Sequence, residues 1–200
     1  RHSGILDRIS KKTAWMRFLL NLALNVGDEH SRCLLQRKSP PLSTQIAYKV
    51  LEPIVLKPLK RVWGTNLRYV ISGSAPMPQW LLERFYGMGV LILEAYGASE
   101  NVIPISINRP DDFKFGTVGK PLPINNVKLS DDGELLVKGP GLFKGYFNDI
   151  HSARALTADS YLAPGDFATI DNEGFITLRG RKSEIFKTST GRRIAPAGIE

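Results

Sequence analysis

The chain of 200 residues is 42% hydrophobic and 23% charged, a composition that argues against a disordered, collagen-like or repetitive protein. Its single cysteine excludes an internal disulfide and a cysteine-rich metal site, and fits a reducing compartment. The net charge of +8 arises in the first third, since residues 1–68 carry 13 Lys and Arg against 4 Asp and Glu, whereas residues 69–200 carry 14 against 15.

The first third is predicted to be mainly helical. Apolar residues recur there at helical spacing: Trp15, Phe18, Leu19, Leu22 and Val26. Lys11, Lys12 and Arg17 flank them, which leaves two interpretations open: the helix packs on a protein core, or it contacts an anionic membrane surface. The charge-free residues 18–27 have only about half the length of a membrane span. A second helical region is predicted over residues 43–59, and nothing resembles a nucleic-acid recognition helix or an RNA-binding strand.

A strand–helix–strand unit is predicted next. Residues 67–72 (LRYVIS) have the pattern of a short buried strand, and residues 90–94 (VLILE) have the pattern of another. A helix begins near Pro78 and ends at Gly87 or Gly89. Such a unit implies two parallel neighbouring strands joined by a right-handed crossover.

The loops after these two strands are the predicted ligand site, because parallel α/β sheets bind ligands beyond the carboxyl ends of their strands. These loops are residues 72–76 (SGSAP) and 96–100 (YGASE). We expect them to lie side by side.

The second half has a different pattern, with short alternating segments separated by turn residues. One hairpin is predicted from residues 127–129 and 134–138, and a second from residues 167–170 and 175–178. The predicted fold class is therefore α/β followed by all-β: a parallel α/β sheet with helices, then a small barrel or sandwich, with the boundary near residues 110–118.

The segment from Tyr96 to Glu100 combines groups that suit a nucleotide. A ring can stack on a base, Gly97 permits close approach, the Ser99 hydroxyl can donate to a phosphate, and a carboxylate can bind magnesium. The alternative is a turn in which Ser99 or Glu100 caps the following segment.

Two further residues have two interpretations each. Asp166 follows a glycine and precedes a strand, so it forms a turn or accepts the two hydroxyls of a ribose. Arg181 also follows a glycine, so it pairs with a phosphate or lies on the solvated surface.

Five motifs follow one another along the chain: SGSAP, YGASE, GELLVKGPGLFKGYFND, YLAPGD and GRKSEIFKTSTGRRIAPAGIE. Together they resemble the adenylate-forming (AMP-binding) superfamily of acyl-CoA and aryl-CoA synthetases and luciferases, in particular the long-chain fatty-acyl-CoA synthetases. The resemblance covers nearly the whole chain and implies part of the large N-terminal domain of such an enzyme, including a small distorted β-barrel. It implies an acid–thiol ligase in which ATP and a fatty acid give an acyl-adenylate and pyrophosphate, after which coenzyme A gives the thioester and AMP. It also implies bound magnesium. A cytoplasmic location is expected from the single cysteine, and no nucleic-acid partner is expected without a recognition motif, with peripheral membrane contact as an open alternative.

The resemblance implies roles for individual residues. The stretch whose backbone lines the adenine is matched by four residues: Gly73, Ser74, Ala75 and Pro76. Tyr96 matches the aromatic residue beside the adenine, and Ser99 stands where the family usually has a phosphate-binding threonine. Glu100 matches the magnesium-binding glutamate, Asp166 the ribose-binding aspartate, and Arg181 the arginine near the ribose and phosphate.

The sequence also departs from the family pattern. Ala163 and Pro164 stand where Arg-Thr is common, so any contact from that threonine is lost. Gly180 occupies a hinge position that is often aspartate, and Ser183 a position that is often lysine. Thr190 replaces the first glycine of the usual Gly-Gly turn.

The resemblance predicts four segments along the chain. These are a mainly helical basic segment at 1–66, a nucleotide-binding βαβ part at 67–115, a barrel-like part at 116–179, and a hinge with the start of a small C-terminal domain at 180–200. The family's Ser/Thr/Gly-rich phosphate loop would precede Arg1, and the lysine that completes adenylation would follow the hinge. We therefore expect an internal piece of a ligase that is inactive by itself.

Two alternatives to this function stay open. One keeps adenylation but changes the acceptor to acyl carrier protein, or the acid to an aryl or medium-chain one. The other, from a different class, is a non-catalytic, membrane-associated interaction module built on the same fold.

Overall fold

A computed structural model describes residues 14–147, 156–184, 186–187 and 193–194. These residues belong to two compact units. The helical unit lies within residues 1–70 and 78–92, and the β unit lies within residues 71–77 and 93–200. Within the described ranges, no helix has the length and apolar character needed to cross a membrane.

The helical unit confirms the mainly helical first third. Its helical segments are α1 (Ala14–Leu35), α2 (Leu42–Leu51), a π-helical segment (Glu52–Leu56), α3 (Lys57–Lys60), a 3-10 turn (Arg61–Trp63) and α4 (Gln79–Gly87). The carbonyl of Pro78 accepts the N–H of Leu81 and begins α4, and α4 ends at Gly87, both as predicted. Proline suits this place because the first turn of a helix has no use for its missing N–H.

Helices α1 and α4 approach each other through two glycines. A Cβ atom placed on Gly27 would lie 2.5 Å from the carbonyl oxygen of Gly87, and one placed on Gly87 would lie 2.8 Å from the carbonyl carbon of Gly27. Beside this crossing the guanidinium of Arg84 pairs with the carboxylate of Asp28. The buried face of α1 is made of Leu20, Ala23, Leu24, Gly27 and Ser31.

This buried face differs from the predicted apolar stripe. The helix packs on a core, but Trp15 is 59% exposed, Phe18 is 68% exposed and Leu22 is 40% exposed. The physical reason is the close crossing, which needs small side chains, so the face with Ala23 and Gly27 turns inward. Lys11 and Lys12 lie outside the described residues.

The central sheet has four strands in the order β1 (Val70–Ser72), β2 (Ile92–Tyr96), β3 (Ser106–Ile107) and β4 (Lys120–Pro121). Helix α4 connects the neighbouring strands β1 and β2, as predicted. Strands β3 and β4 continue the sheet in antiparallel fashion, with Tyr96 opposite Ser106, and the sequence did not predict them.

The first strand is shorter and more exposed than predicted. Strand β1 covers only the end of residues 67–72, and Ile71 is 54% exposed. Within the described part of the chain β1 is an edge strand of its sheet, so fewer neighbours cover it. Strand β2, in contrast, is buried along most of its length.

Both predicted hairpins are confirmed. Strands β5 (Asn126–Leu129) and β6 (Leu135–Lys138) form the first, and β7 (Asp166–Ile170) and β8 (Ile176–Arg181) form the second. Two short antiparallel strands follow, β9 (Phe186–Lys187) and β10 (Arg193–Ile194). The hairpins share a core with the end of β2: Tyr96, Ile105, Val118, Leu135, Val137, Leu162, Ala168 and Ile176.

Helices followed by mixed sheets confirm the predicted fold class. The two compact units divide the chain between residues 70 and 93. The boundary near residues 110–118, the four-segment division and the small distorted β-barrel stay predictions.

The glycine crossing leads to a stability prediction. Alanine in a helix interior is usually about 1 kcal/mol more favourable than glycine. At Gly27 we expect the opposite, a loss of about 1–3 kcal/mol in the free energy of unfolding, because the new methyl group overlaps the backbone of α4. Urea unfolding of Gly27→Ala measures this loss, and Asn25→Ala at an exposed position of the same helix is the control. Stability of Gly27→Ala equal to the unaltered protein would refute the crossing.

Candidate functional site

The carboxylate of Asp166 lies at the centre of the candidate site. Asp166 begins β7 and faces Arg181, which ends β8. It is only 7% exposed. The Tyr96 hydroxyl donates to Oδ2 at 2.5 Å, and Nε of Arg181 donates to Oδ1 at 3.2 Å. The structure thus brings together three of the residues singled out in the sequence, from three different strands.

Tyr96 contacts the Asp166 carboxylate through its hydroxyl, which donates a hydrogen bond. It ends β2, is 9% exposed and belongs to the core shared with the hairpins. Burial, followed by the hydrogen bond to Asp166, raises the pKa of Tyr96, so the hydroxyl keeps its proton. A protonated hydroxyl is the form that donates to a carboxylate.

The Asp166 carboxylate can accept hydrogen bonds beyond those from Tyr96 and Arg181. A carboxylate has about four lone-pair sites on its two oxygens. The bonds from Tyr96 and Arg181 use one site on each oxygen. The remaining acceptor sites suit a pair of neighbouring hydroxyls.

The predicted adenine loop is held against β2. The carboxylate of Glu94 accepts the backbone N–H of Met77 at 3.0 Å, and a Cβ atom on Gly73 would lie 3.6 Å from the carbonyl oxygen of Ala95. Residues 73–76 therefore lie beside the strand that leads into residues 96–100, which is the proximity that the sequence predicted.

Backbone strain marks the same loop. Ser74 has a φ of +71°, in the left-handed region that favours glycine. Such conformations cluster at binding sites, where the surrounding structure holds them in place. Gly73, Ser74, Ala75 and Pro76 are all exposed.

Glu94 was missed in the sequence. Its side chain is buried, and burial raises its pKa despite the hydrogen bond from Met77. A carboxylate within an apolar strand was the available signal, since such a residue needs a specific hydrogen-bond donor.

Glu100 is held by a second loop. The Tyr146 hydroxyl donates to Oε1 of Glu100, and the Phe143 N–H donates to the Glu100 carbonyl at 2.8 Å. Tyr146 in turn packs edge-on against the ring of Phe143, with 4.9 Å between ring centroids. The charge of Glu100 contributes, after burial and Asp166, to the raised pKa of Tyr96.

The residues around Glu100 suit a magnesium ion. Proteins usually hold Mg²⁺ through one or two carboxylates together with substrate phosphates. Glu100 supplies one carboxylate, half-buried and oriented by a neutral hydroxyl. Gly97 and Ser99 lie exposed in the same loop, open to a ligand.

The positions that depart from the family pattern border Asp166 and Arg181. Ala163 and Pro164 come shortly before Asp166. Gly180 lies within β8 with a φ of +122°, directly before Arg181. Ser183 follows in a turn, and Thr190 lies outside the described residues.

Comparison with known proteins gives a consistent result. Residues 19–147 match the family model described as AMP-binding enzyme. The chain is 38% identical over 164 residues to Long-chain-fatty-acid–CoA ligase FadD15 of Mycobacterium bovis, an alignment that covers 82% of this chain and 27% of the relative. It is 32% identical over 212 residues to Long-chain-fatty-acid–CoA ligase 5 of Rattus norvegicus, which covers 98% of this chain and 30% of the relative.

Solved structures agree. O-succinylbenzoate coenzyme A synthetase (MenE) from Bacillus subtilis, in complex with ATP and a magnesium ion, is 30% identical with a TM-score of 0.61. The match covers 76% of this chain and 34% of that structure. The chain thus spans about a third or less of the length of the proteins that it resembles.

Proposed function

Because the chain belongs to the AMP-binding enzyme family, we propose that it forms the nucleotide-binding part of an ATP-dependent fatty acid–CoA ligase. The observation that carries the proposal is the cluster of Tyr96, Asp166 and Arg181, in which a buried carboxylate with spare acceptor sites lies beside an exposed guanidinium. The names of the similar ligases support the fatty-acid substrate.

The proposed reaction has two steps. An oxygen of the fatty-acid carboxylate attacks the α-phosphorus of ATP, and the bond from that phosphorus to pyrophosphate breaks. The sulfur of coenzyme A then attacks the acyl carbon, the bond from carbon to the AMP oxygen breaks, and the thiol proton leaves to solvent. The products are acyl-CoA and AMP.

The residues of this chain bind and orient the nucleotide. The Asp166 carboxylate accepts hydrogen bonds from the ribose hydroxyls, while residues 73–76 and Tyr96 border the adenine. The Arg181 side chain is 63% exposed, and its guanidinium has further N–H donors beyond the Nε–H that points at Asp166. These donors suit a phosphate, and the Ser99 hydroxyl suits another phosphate oxygen.

Magnesium belongs to the proposal through Glu100. When bound, the ion neutralises the negative charge of the phosphates. Within this chain, Tyr146 orients the Glu100 carboxylate, and the bond from Phe143 holds the Glu100 backbone. A fixed carboxylate avoids the cost of reorganisation when charge develops.

The alternative acids and acceptors share these nucleotide contacts, so the cluster is consistent with an aryl or medium-chain acid and with acyl carrier protein as acceptor. A non-catalytic module has no chemical need for acceptor sites on Asp166 beyond those that Tyr96 and Arg181 use, or for the Glu100 carboxylate. These two carboxylates therefore favour adenylation over that module.

The proposal is tested by acid-dependent exchange of pyrophosphate into ATP. The longest product of the gene that encodes this chain is assayed with short, medium, long-chain and aryl acids. We expect exchange to peak with long-chain acids, and to fall by about 10² or more in Glu100→Ala through loss of charge stabilisation. Asp131→Ala, at an exposed hairpin turn, is the matched carboxylate control. A folded product that shows no exchange with any acid would contradict the proposal.

Peripheral membrane contact is a second candidate, favoured by the exposed side chains of α1. Trp15 and Phe18 are more than half exposed, and Arg17 lies between them in a strongly basic segment. Aromatic and basic side chains together are typical of helices that lie in an anionic lipid interface.

Vesicle sedimentation tests this contact. The protein is expected to sediment with anionic vesicles and not with neutral ones, and Arg17→Glu with Phe18→Ser is expected to abolish most of this binding. Asn25→Ser on the same helix is the control. Vesicle binding that is unchanged in the double variant would show that α1 does not make the membrane contact.

A further inference from the structure

Glu134 connects the two strand ends that carry Asp166 and Arg181. It directly precedes β6 and is 7% exposed. Its Oε1 accepts the backbone N–H of Gly165 at 3.0 Å, and its Oε2 accepts the ammonium of Lys182 at 2.7 Å. Gly165 directly precedes Asp166, and Lys182 directly follows Arg181.

A backbone hydrogen bond also joins the two residues that Glu134 binds. The N–H of Lys182 donates to the carbonyl of Gly165 at 2.7 Å, so the two residues bound by Glu134 also bind each other. Residue Glu134 itself forms an isolated bridge with Phe167. One carboxylate therefore reaches the residue before Asp166 and the residue after Arg181.

The orientation of the Asp166 backbone depends on the hydrogen bonds that the preceding residue, Gly165, makes with Glu134 and Lys182. Gly165 has a φ of +84°, and among the residues that the structure describes a Cβ atom at this position would meet nothing within 4 Å. Packing therefore does not hold the glycine, and glycine is the residue with the widest choice of backbone conformations. Two hydrogen bonds therefore fix the peptide that leads into Asp166: the Gly165 N–H donates to Glu134, and the Gly165 carbonyl accepts the Lys182 N–H.

The ion pair with Lys182 is what makes a buried carboxylate acceptable at position 134. A buried carboxylate is costly unless it is paired and hydrogen-bonded. Lys182 also reaches Asp132 at 3.4 Å, and its pKa is raised, first of all by the hydrogen bond to Glu134. Both oxygens of Glu134 thus have a donor.

We propose that Glu134, through Gly165 and Lys182, is a positioning residue that holds Asp166 and Arg181 in the geometry that binds the ribose. This inference rests on the proposed nucleotide function. It assigns Glu134 to the nucleotide site, whereas the sequence predicted this glutamate only within a strand and within the GELLVKGPGLFKGYFND motif. Glu134 acts on the nucleotide only through the two strand ends.

The test compares the binding of adenosine and AMP by calorimetry with thermal stability, using the longest product of the gene. Glu134→Leu removes both bonds, Lys182→Met removes the ion pair, and Glu134→Gln keeps an acceptor for Gly165. The matched control is Lys128→Met, which breaks the ion pair between Lys128 of β5 and Asp159, 2.5 Å apart. In the described part of the chain, neither of these residues bonds to Gly165 or Lys182.

We expect Glu134→Leu and Lys182→Met to weaken adenosine and AMP binding alike, by about tenfold or more, because small displacements of an orienting group are costly. Glu134→Gln is expected to retain most of the affinity, and Lys128→Met all of it. If Glu134→Leu does not fold, the comparison of Lys182→Met with Lys128→Met decides.

Two results would overturn the inference. One is nucleotide affinity unchanged in Lys182→Met and Glu134→Leu while thermal stability falls, which would make Glu134 a support of the hairpins alone. The other is a loss for AMP without a loss for adenosine, which would mean that Lys182 contacts the phosphate itself. Failure of the unaltered protein to bind either compound would instead count against the proposed function.

Discussion

The site depends on one constraint: a carboxylate removed from water must receive hydrogen bonds from the protein. Asp166 is such a carboxylate, and its two donors, Tyr96 and Arg181, come from different parts of the β unit. Satisfying it joins the end of the central strand β2 to the β7–β8 hairpin. The same contacts use one acceptor site on each Asp166 oxygen, so the requirement that orders these strands is compatible with the proposed ribose contact.

The same principle holds the loops on either side. Glu94 is buried and accepts an N–H from the loop that contains Gly73, and Glu134 is buried and accepts the N–H of Gly165. Each of these segments includes a glycine, whose backbone has little preference of its own. Within the described residues, buried carboxylates thus hold these glycine-containing segments in place beside the proposed nucleotide. This explains how exposed loops can be preorganised for binding without being packed.

Local signals in the sequence predicted much of the fold. The turn residues between apolar segments predicted both hairpins, and Pro78 and Gly87 predicted the limits of α4. The apolar periodicity of α1 did not predict which face of the helix is buried. That face is set by the close contact between Gly27 and Gly87, and Gly87 is distant in the chain. Exposure of β1 likewise depends on its position at the edge of a sheet.

The candidate site was predicted through its motifs, and its supporting residues were not. Tyr96, Asp166 and Arg181 were singled out, and the structure places them in contact. Glu94, Glu134 and Tyr146 were missed because their partners lie 17, 31 and 46 residues away in the chain, beyond the reach of any local pattern. Their roles follow from tertiary contacts alone.

The most direct test of the central claim is whether Asp166 recognises a ribose. Binding of adenosine and of 2′,3′-dideoxyadenosine is measured for the longest product of the gene and for its folded Asp166→Ala variant. Hydrogen bonds to a charged group contribute about 1.5–3 kcal/mol, so the account predicts that the unaltered protein prefers adenosine by about 10- to 100-fold. The account also predicts that this preference disappears in the variant. A preference that survives the loss of Asp166, or that is absent from the unaltered protein, would contradict it.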